Sequence, residues 1–172
     1  MLDGEHASVG MPEIESMLRT VDGRLRCYAR VRTLASAPVN NVLENGAEGV
    51  VFPNVDTVSI AQEAVRLVRD SHWSRARVVV QAESAEAVRH IEEIVRVPGI
   101  SWILIGPNDL SMSLGIPGQF DAPEYVDAVA IIERACRGAS VPVGIFGMTP
   151  ELVAPYEDRA FEWLLVGIDR PA

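Results

Sequence analysis

At 172 residues, 48% hydrophobic and 23% charged, the chain has the makeup of one globular domain able to bury a real core, neither disordered nor fibrous. A formal charge of −9 without any basic cluster excludes a nucleic-acid-binding face, and no apolar run reaches the ~20 residues of a membrane span. All 15 cationic side chains are arginine, and the absence of lysine removes Schiff-base aldolase chemistry and Walker-type phosphate binding together.

No signal peptide opens the chain, and Asp3-Gly4 followed by Glu5-His6 reads as a strand end. Residues 11–23 predict a helix, with Pro12 in its first turn, Gly23 past its end and Ile14, Met17, Leu18 and Val21 on one face. Residues 25–32 predict a strand with Cys27, Ala29 and Val31 on one side and Arg32 at its carboxyl end. A brief helix follows from Pro38, stopped by Gly46, and residues 49–53 form the next strand. Val58 to Arg69 is helical, with Ile60, Ala64, Val65 and Val68 inward. Residues 77–83 are a buried strand ending in Glu83, and Ser84 is placed to cap a helix over 85–95. Pro98-Gly99 turns the chain into a strand at 101–106, which Gly106-Pro107 breaks. Asn108 or Asp109 then starts a short helix closed by Gly115.

Asp121-Ala122-Pro123-Glu124 has the look of a capping box for a helix reaching Arg137, and a strand follows at 141–146. Thr149-Pro150 opens a helix that Pro155 must interrupt, and residues 163–167 are the last strand. Cys27 and Cys136 lack metal-ligand spacing and read as reduced core residues of a cytoplasmic protein. His72 and His90 read as solvated, and Trp73, Trp102 and Trp163 as core or interface anchors.

Seven strands alternating with helices make an α/β fold with a parallel sheet. An open doubly wound sheet and a barrel both fit, but no glycine-rich dinucleotide fingerprint favours the first. Glu5-His6, Arg32, Glu83 and Asp109 end different strands, and chemistry spread over strand ends is how barrels build sites. The expectation is therefore a TIM-type (β/α) barrel of about seven strands. Glu83 and Asp109, ending neighbouring strands, would supply half of an octahedral Mg²⁺ or Mn²⁺ site. The bland alternative is a helix-capping Asp109 and a Glu83 paired with an arginine.

Several motifs in order carry a resemblance: Leu2-Asp3-Gly4-Glu5-His6-Ala7; Val31-Arg32 with Pro38; Leu43-Glu44-Asn45-Gly46-Ala47-Glu48-Gly49-Val50 with Pro53; and Gln81-Ala82-Glu83-Ser84. Ile105-Gly106-Pro107-Asn108-Asp109-Leu110-Ser111 is the most specific, and Ser113-Leu114-Gly115, Gly144-Ile145 and Val166-Gly167-Ile168-Asp169 continue the set. Together they resemble the HpcH/HpaI aldolase and citrate lyase β family, metal-dependent enzymes on a (β/α)₈ barrel that handle pyruvate or related enolates. The resemblance implies a divalent metal on Glu83 and Asp109, with Mg²⁺ or Mn²⁺ expected and Co²⁺ a further candidate. It implies a 2-oxo acid bound by Arg32, Gln81 and the Gly106-Pro107-Asn108-Asp109 turn. Arg32 would stabilise the enolate, His6 would move the proton, and Glu44 would orient His6.

Against the family pattern, the chain would begin inside the second strand and end after the eighth, and it is shorter between Arg69 and Arg77, where a loop over the site is expected. The implied function is a metal-dependent aldolase forming or cleaving a C–C bond through a pyruvate-type enolate. A small-molecule 2-oxo acid and an aldehyde or acyl acceptor are the implied partners. Citrate-type condensation or acyl-CoA lyase chemistry is the nearest alternative, and a non-catalytic binding or scaffold barrel a different one. The open strand edges of such a sheet imply a homo-oligomer.

Overall fold

Short strands rich in valine and isoleucine alternate with amphipathic helices, and this pattern folds into one parallel sheet of seven strands in the order of the chain. The structure, a computed structural model, describes residues 1–5, 10–21, 23–159 and 161–167. β1 (Leu2–Asp3) leads through α1 (Met11–Val21) to β2 (Tyr28–Arg30), and α2 (Ser36–Glu44) leads to β3 (Gly49–Phe52). α3 (Val58–Arg69), β4 (Arg77–Ala82), α4 (Ala85–Ile94) and β5 (Trp102–Ile105) follow. The short α5 (Pro107–Ser113) and the long α6 (Pro123–Ala139) then precede β6 (Val143–Gly147). α7 (Pro150–Val153) passes into a 3₁₀ turn at Ala154–Tyr156, where Pro155 denies the helix an N–H, before β7 (Phe161–Val166).

Strand alternation builds two distinct interiors. Ala29, Val50, Phe52, Val78, Val80, Ile103, Ile105, Val143 and Ile145 face the helices and form the main core with Leu18, Val42, Val68, Ile91 and Ile132. The opposite face carries Tyr28, Val51, Val79 and Leu104, packed with Trp102, Trp163 and Leu165. Tyr28 on β2 lies 5.0 Å, centroid to centroid, from Trp163 on β7. Five strand spacings of a flat sheet would hold them roughly 24 Å apart, so the sheet curls into an incomplete barrel. Trp102 completes an aromatic layer at the amino end, 4.9 Å from Trp163 and 5.5 Å from Tyr28. At the carboxyl end the same inner face turns polar.

Two local expectations, on the starts of α5 and α6, are corrected. α5 begins at Pro107 with Gly106 as its cap, so Asp109 sits inside the first turn rather than capping it. The 121–124 segment is not a capping box, because Ala122 is the cap of α6 and makes no side-chain bond there. The connection from Arg69 to Arg77 lies at the amino end of the sheet, away from the carboxyl ends where Glu83 and Asp109 sit. Among the described residues no helix is long and apolar enough to cross a membrane.

Candidate active site

The polar end of the inner face is organised on one arginine. Period-two alternation sends Tyr28 and Arg30 of β2 inward, and Val79, Gln81 and Glu83 inward along β4 and its end. Asp3 is the cross-strand neighbour of Arg30 on β1. Arg30, 9% exposed, donates from Nε to Asp3 Oδ1 at 2.8 Å and from Nη2 to Oδ2 at 2.6 Å, a two-pronged ion pair. Its Nη1 lies 3.1 Å from Glu5 Oε2 and donates to Gln81 Oε1 at 3.2 Å. Gln81, 4% exposed, donates from Nε2 to Glu83 Oε2 at 2.8 Å, and the backbone N–H of Asn54 donates to Glu83 Oε1 at 2.7 Å. A continuous relay thus runs from Asp3 through Arg30 and Gln81 to Glu83. The Gln81 amide is orientated by its neighbours, carbonyl toward guanidinium and NH₂ toward carboxylate.

Glu83 is 3% exposed, and burial pushes its carboxyl up to about 7. The Asn54 N–H and Arg30 oppose that rise, while the charges of Asp109 and Glu5 add to it. Gly106 leaves the room this side chain needs, since a Cβ there would lie 2.6 Å from Glu83 Oε2. Burial works against the charge of Arg30, but Asp3, Glu5 and Glu83 together hold the guanidinium protonated. Asp109 stands exposed in the first turn of α5, and the N–H groups of Asn108 and Asp109 precede the first helical bond, Leu110 N–H to Gly106 C=O.

The model of the family described as HpcH/HpaI aldolase/citrate lyase matches residues 1–171. The chain belongs to that family. It is 30% identical over 195 aligned residues to a 4-hydroxy-2-oxovalerate aldolase of Rhodococcus jostii RHA1, covering 98% of this chain and 76% of that protein. A hydroxypyruvate/pyruvate aldolase of Paraburkholderia phytofirmans is 27% identical, with 98% of this chain and 77% of that protein covered. Among solved structures, a family protein from Burkholderia cenocepacia J2315 superposes with a TM-score of 0.87 at 27% identity, over 96% of this chain and 77% of its own. These relatives are named aldolases, carbon–carbon lyases, and the barrel of this HpcH/HpaI chain is theirs.

Not every expected residue reaches the site. Glu83, Gln81, Gly106 and Pro107 do, all buried, with Asn108 and Asp109 exposed at the mouth. The site cation is Arg30 and not Arg32: β2 ends two residues earlier than expected, so Arg32 falls on the exposed loop, where its Nη2 donates to the backbone oxygen of Glu5 at 2.9 Å. Gln81 was expected to touch substrate, yet both ends of its amide are engaged by Arg30 and Glu83, which makes it a brace. Glu44 is exposed at the carboxyl end of α2, leading into the amino end of β3, at the opposite end of the sheet from Glu83. His6 lies outside the described residues. Sequence reasoning missed Arg30, Asp3 and Asn54. The signal for Arg30 was present, because placing Cys27, Ala29 and Val31 on one face puts Tyr28 and Arg30 on the other.

The residues present fit a hard divalent cation. Two carboxylates, one of them buried beside the other's charge, are relieved by a positive ion in a way that protonation alone would otherwise have to provide. Among the described residues no group of three or more His, Cys, Asp and Glu is placed to hold a metal. Two carboxylates, Glu83 and Asp109, suit Mg²⁺ or Mn²⁺, which take one or two and complete their shells with water and ligand.

Proposed function

We propose that this HpcH/HpaI member is a divalent-metal-dependent aldolase that makes or breaks a C–C bond through the enolate of a pyruvate-type 2-oxo acid. The observation that carries the reading is the buried relay from Arg30 through Gln81 to Glu83, beside Asp109, at the carboxyl ends of adjacent strands. A divalent ion on Glu83 and Asp109 would supply Lewis-acid polarisation of the keto oxygen. Arg30 adds a fixed charge for the developing oxyanion, and the Asp3 fork holds its plane so that no reorganisation is needed as charge builds. Gln81 keeps Glu83 facing the site. His6, next to Glu5 in sequence, is assigned the proton transfer. An aldehyde is the acceptor, and the outer edges of β1 and β7, the end strands of the sheet among the described residues, support assembly into a homo-oligomer.

A buried arginine held by two carboxylates, together with a buried carboxylate of raised pKa, is costly to keep for a scaffold without chemistry. The test is exchange of the pyruvate methyl protons in D₂O, followed by NMR with Mg²⁺ or Mn²⁺ added. Metal-dependent exchange, abolished in Glu83→Gln, is the expected result. No exchange by the wild-type chain, and no cleavage across a panel of 4-hydroxy-2-oxo acids, would overturn the assignment.

A further inference from the structure

We propose that Asn54 is a positioning residue whose N–H, held against Glu83 by a left-handed turn, sets the metal-binding carboxylate. This rests on the reading of Glu83 as a metal ligand. Asn54 follows Pro53 just beyond β3, with φ of 54°. Ser140 is the other non-glycine among the described residues with positive φ, and it ends α6, where that conformation is ordinary. Asn54 ends no helix. Its backbone N–H donates to Glu83 Oε1 at 2.7 Å, and its left-handed conformation turns the chain beyond it into the tight turn closed by the Asp56 N–H on the Asn54 carbonyl at 3.1 Å. A left-handed non-glycine residue beside a site is a strained element that its surroundings must hold in place.

The same loop grips the carboxylate's surroundings twice more. Asn54 Nδ2 donates to Glu5 Oε1 at 3.4 Å, and Glu5 lies against Arg30. Asp56 accepts a hydrogen bond from the hydroxyl of Ser84, the residue after Glu83, whose oxygen in turn caps α4 by accepting the Ala87 N–H at 2.9 Å. The turn after β3 therefore braces Glu83 at its carboxylate and at the next residue. The Asn54 N–H and the Gln81 amide each engage one carboxylate oxygen, and together they fix its plane. Asparagine is the side chain that tolerates this backbone best after glycine, and a β-branched residue tolerates it worst.

The experiment measures Mn²⁺ affinity of the EDTA-stripped chain by calorimetry for wild type, Asn54→Gly, Asn54→Ala and Asn54→Val, with thermal unfolding recorded for each. Glycine keeps both the conformation and the N–H, so its affinity stays within about threefold of wild type. Valine is driven out of the left-handed region, and its affinity falls by roughly tenfold or more, with alanine between. A purely structural role would lower the melting temperature in valine and leave Mn²⁺ affinity of the folded protein unchanged, which would overturn the inference. Equal losses in glycine and valine would also overturn it, by assigning the effect to the amide side chain. No Mn²⁺ binding by wild type would overturn this inference and the metal reading together, whereas binding by wild type and Asn54→Val alike would remove this inference alone.

Discussion

Replacing Glu83 by glutamine separates the two effects of this carboxylate with opposite signs. In the metal-free protein the folded state holds a proton on Glu83 up to about pH 7, against an ordinary value of 4.5. Folding then takes up a proton between those values, so this group's contribution is fully present below pH 4.5 and is lost as pH rises through 7. The difference between about 7 and 4.5 corresponds to about 3 kcal/mol. Glutamine carries no charge and has no such slope. Its oxygen can still accept the Asn54 N–H, but its NH₂ then meets the Gln81 Nε2, which Arg30 prevents from turning. That mismatch costs about 1 kcal/mol. In EDTA, Glu83→Gln is therefore less stable than wild type by about 1 kcal/mol at pH 4 and more stable by about 2 kcal/mol at pH 8. Adding Mg²⁺ at a hundred times its Kd restores about 2.7 kcal/mol to wild type at pH 8 and nothing to the variant. Urea unfolding, followed by the fluorescence of the interior Trp102 and Trp163, reads both. Parallel pH curves for the two proteins, or equal stabilisation by Mg²⁺, would refute the reasoning.

Arg30→Ala strands Asp3 and Glu5 without their cation and should lower stability by about 3–5 kcal/mol while abolishing turnover. Arg32→Ala, on an exposed loop, should shift urea stability by less than about 0.5 kcal/mol and leave kcat near wild type, and a kcat collapse with Arg30 intact would return the site charge to Arg32. His6→Ala should lower 2-oxo acid proton exchange by ~10²–10⁴-fold and flatten its pH–rate profile near neutrality, and a profile that overlays wild type would remove His6 from the chemistry. Sedimentation at micromolar concentration should show a homo-oligomer covering the β1 and β7 edges, and a monodisperse monomer would contradict that.

Periodicity carried most of the architecture. The Val58–Arg69 helix was legible to the residue: of the four side chains expected inward, Ala64, Val65 and Val68 are buried and Ile60 is half-buried. Glu83 and Asp109 were legible because each follows an apolar run that can only be a buried strand. Arg30 was legible in the same alternation, which faces it with Tyr28, but was passed over because the strand was expected to run on to Arg32. A two-residue error in a strand end moves the choice from one arginine to another of the same face. Glu44 shows a different limit: motif similarity gives order along the chain and says nothing of which end of the sheet a helix terminus occupies, and the His6 it is expected to orient lies outside the described residues. Asn54 had no sequence signal, since its part is played by a backbone N–H in a conformation set by the turn.

Among the described residues the first strand is joined to the sheet through two paired positions, Leu2 with Ala29 and Asp3 with Arg30. Arg30 holds that strand from both sides of its own residue, by its guanidinium on Asp3 and by its carbonyl, which accepts the Gly4 N–H at 2.9 Å. The proposed oxyanion charge is thus also the clasp of β1. Any transient opening of β1 withdraws Asp3 and Glu5 together and loosens the guanidinium, which ties local unfolding at this end of the sheet to the order of the proposed site. Amide exchange at Gly4 becomes a gauge of active-site order, slowed by whatever anionic ligand engages Arg30.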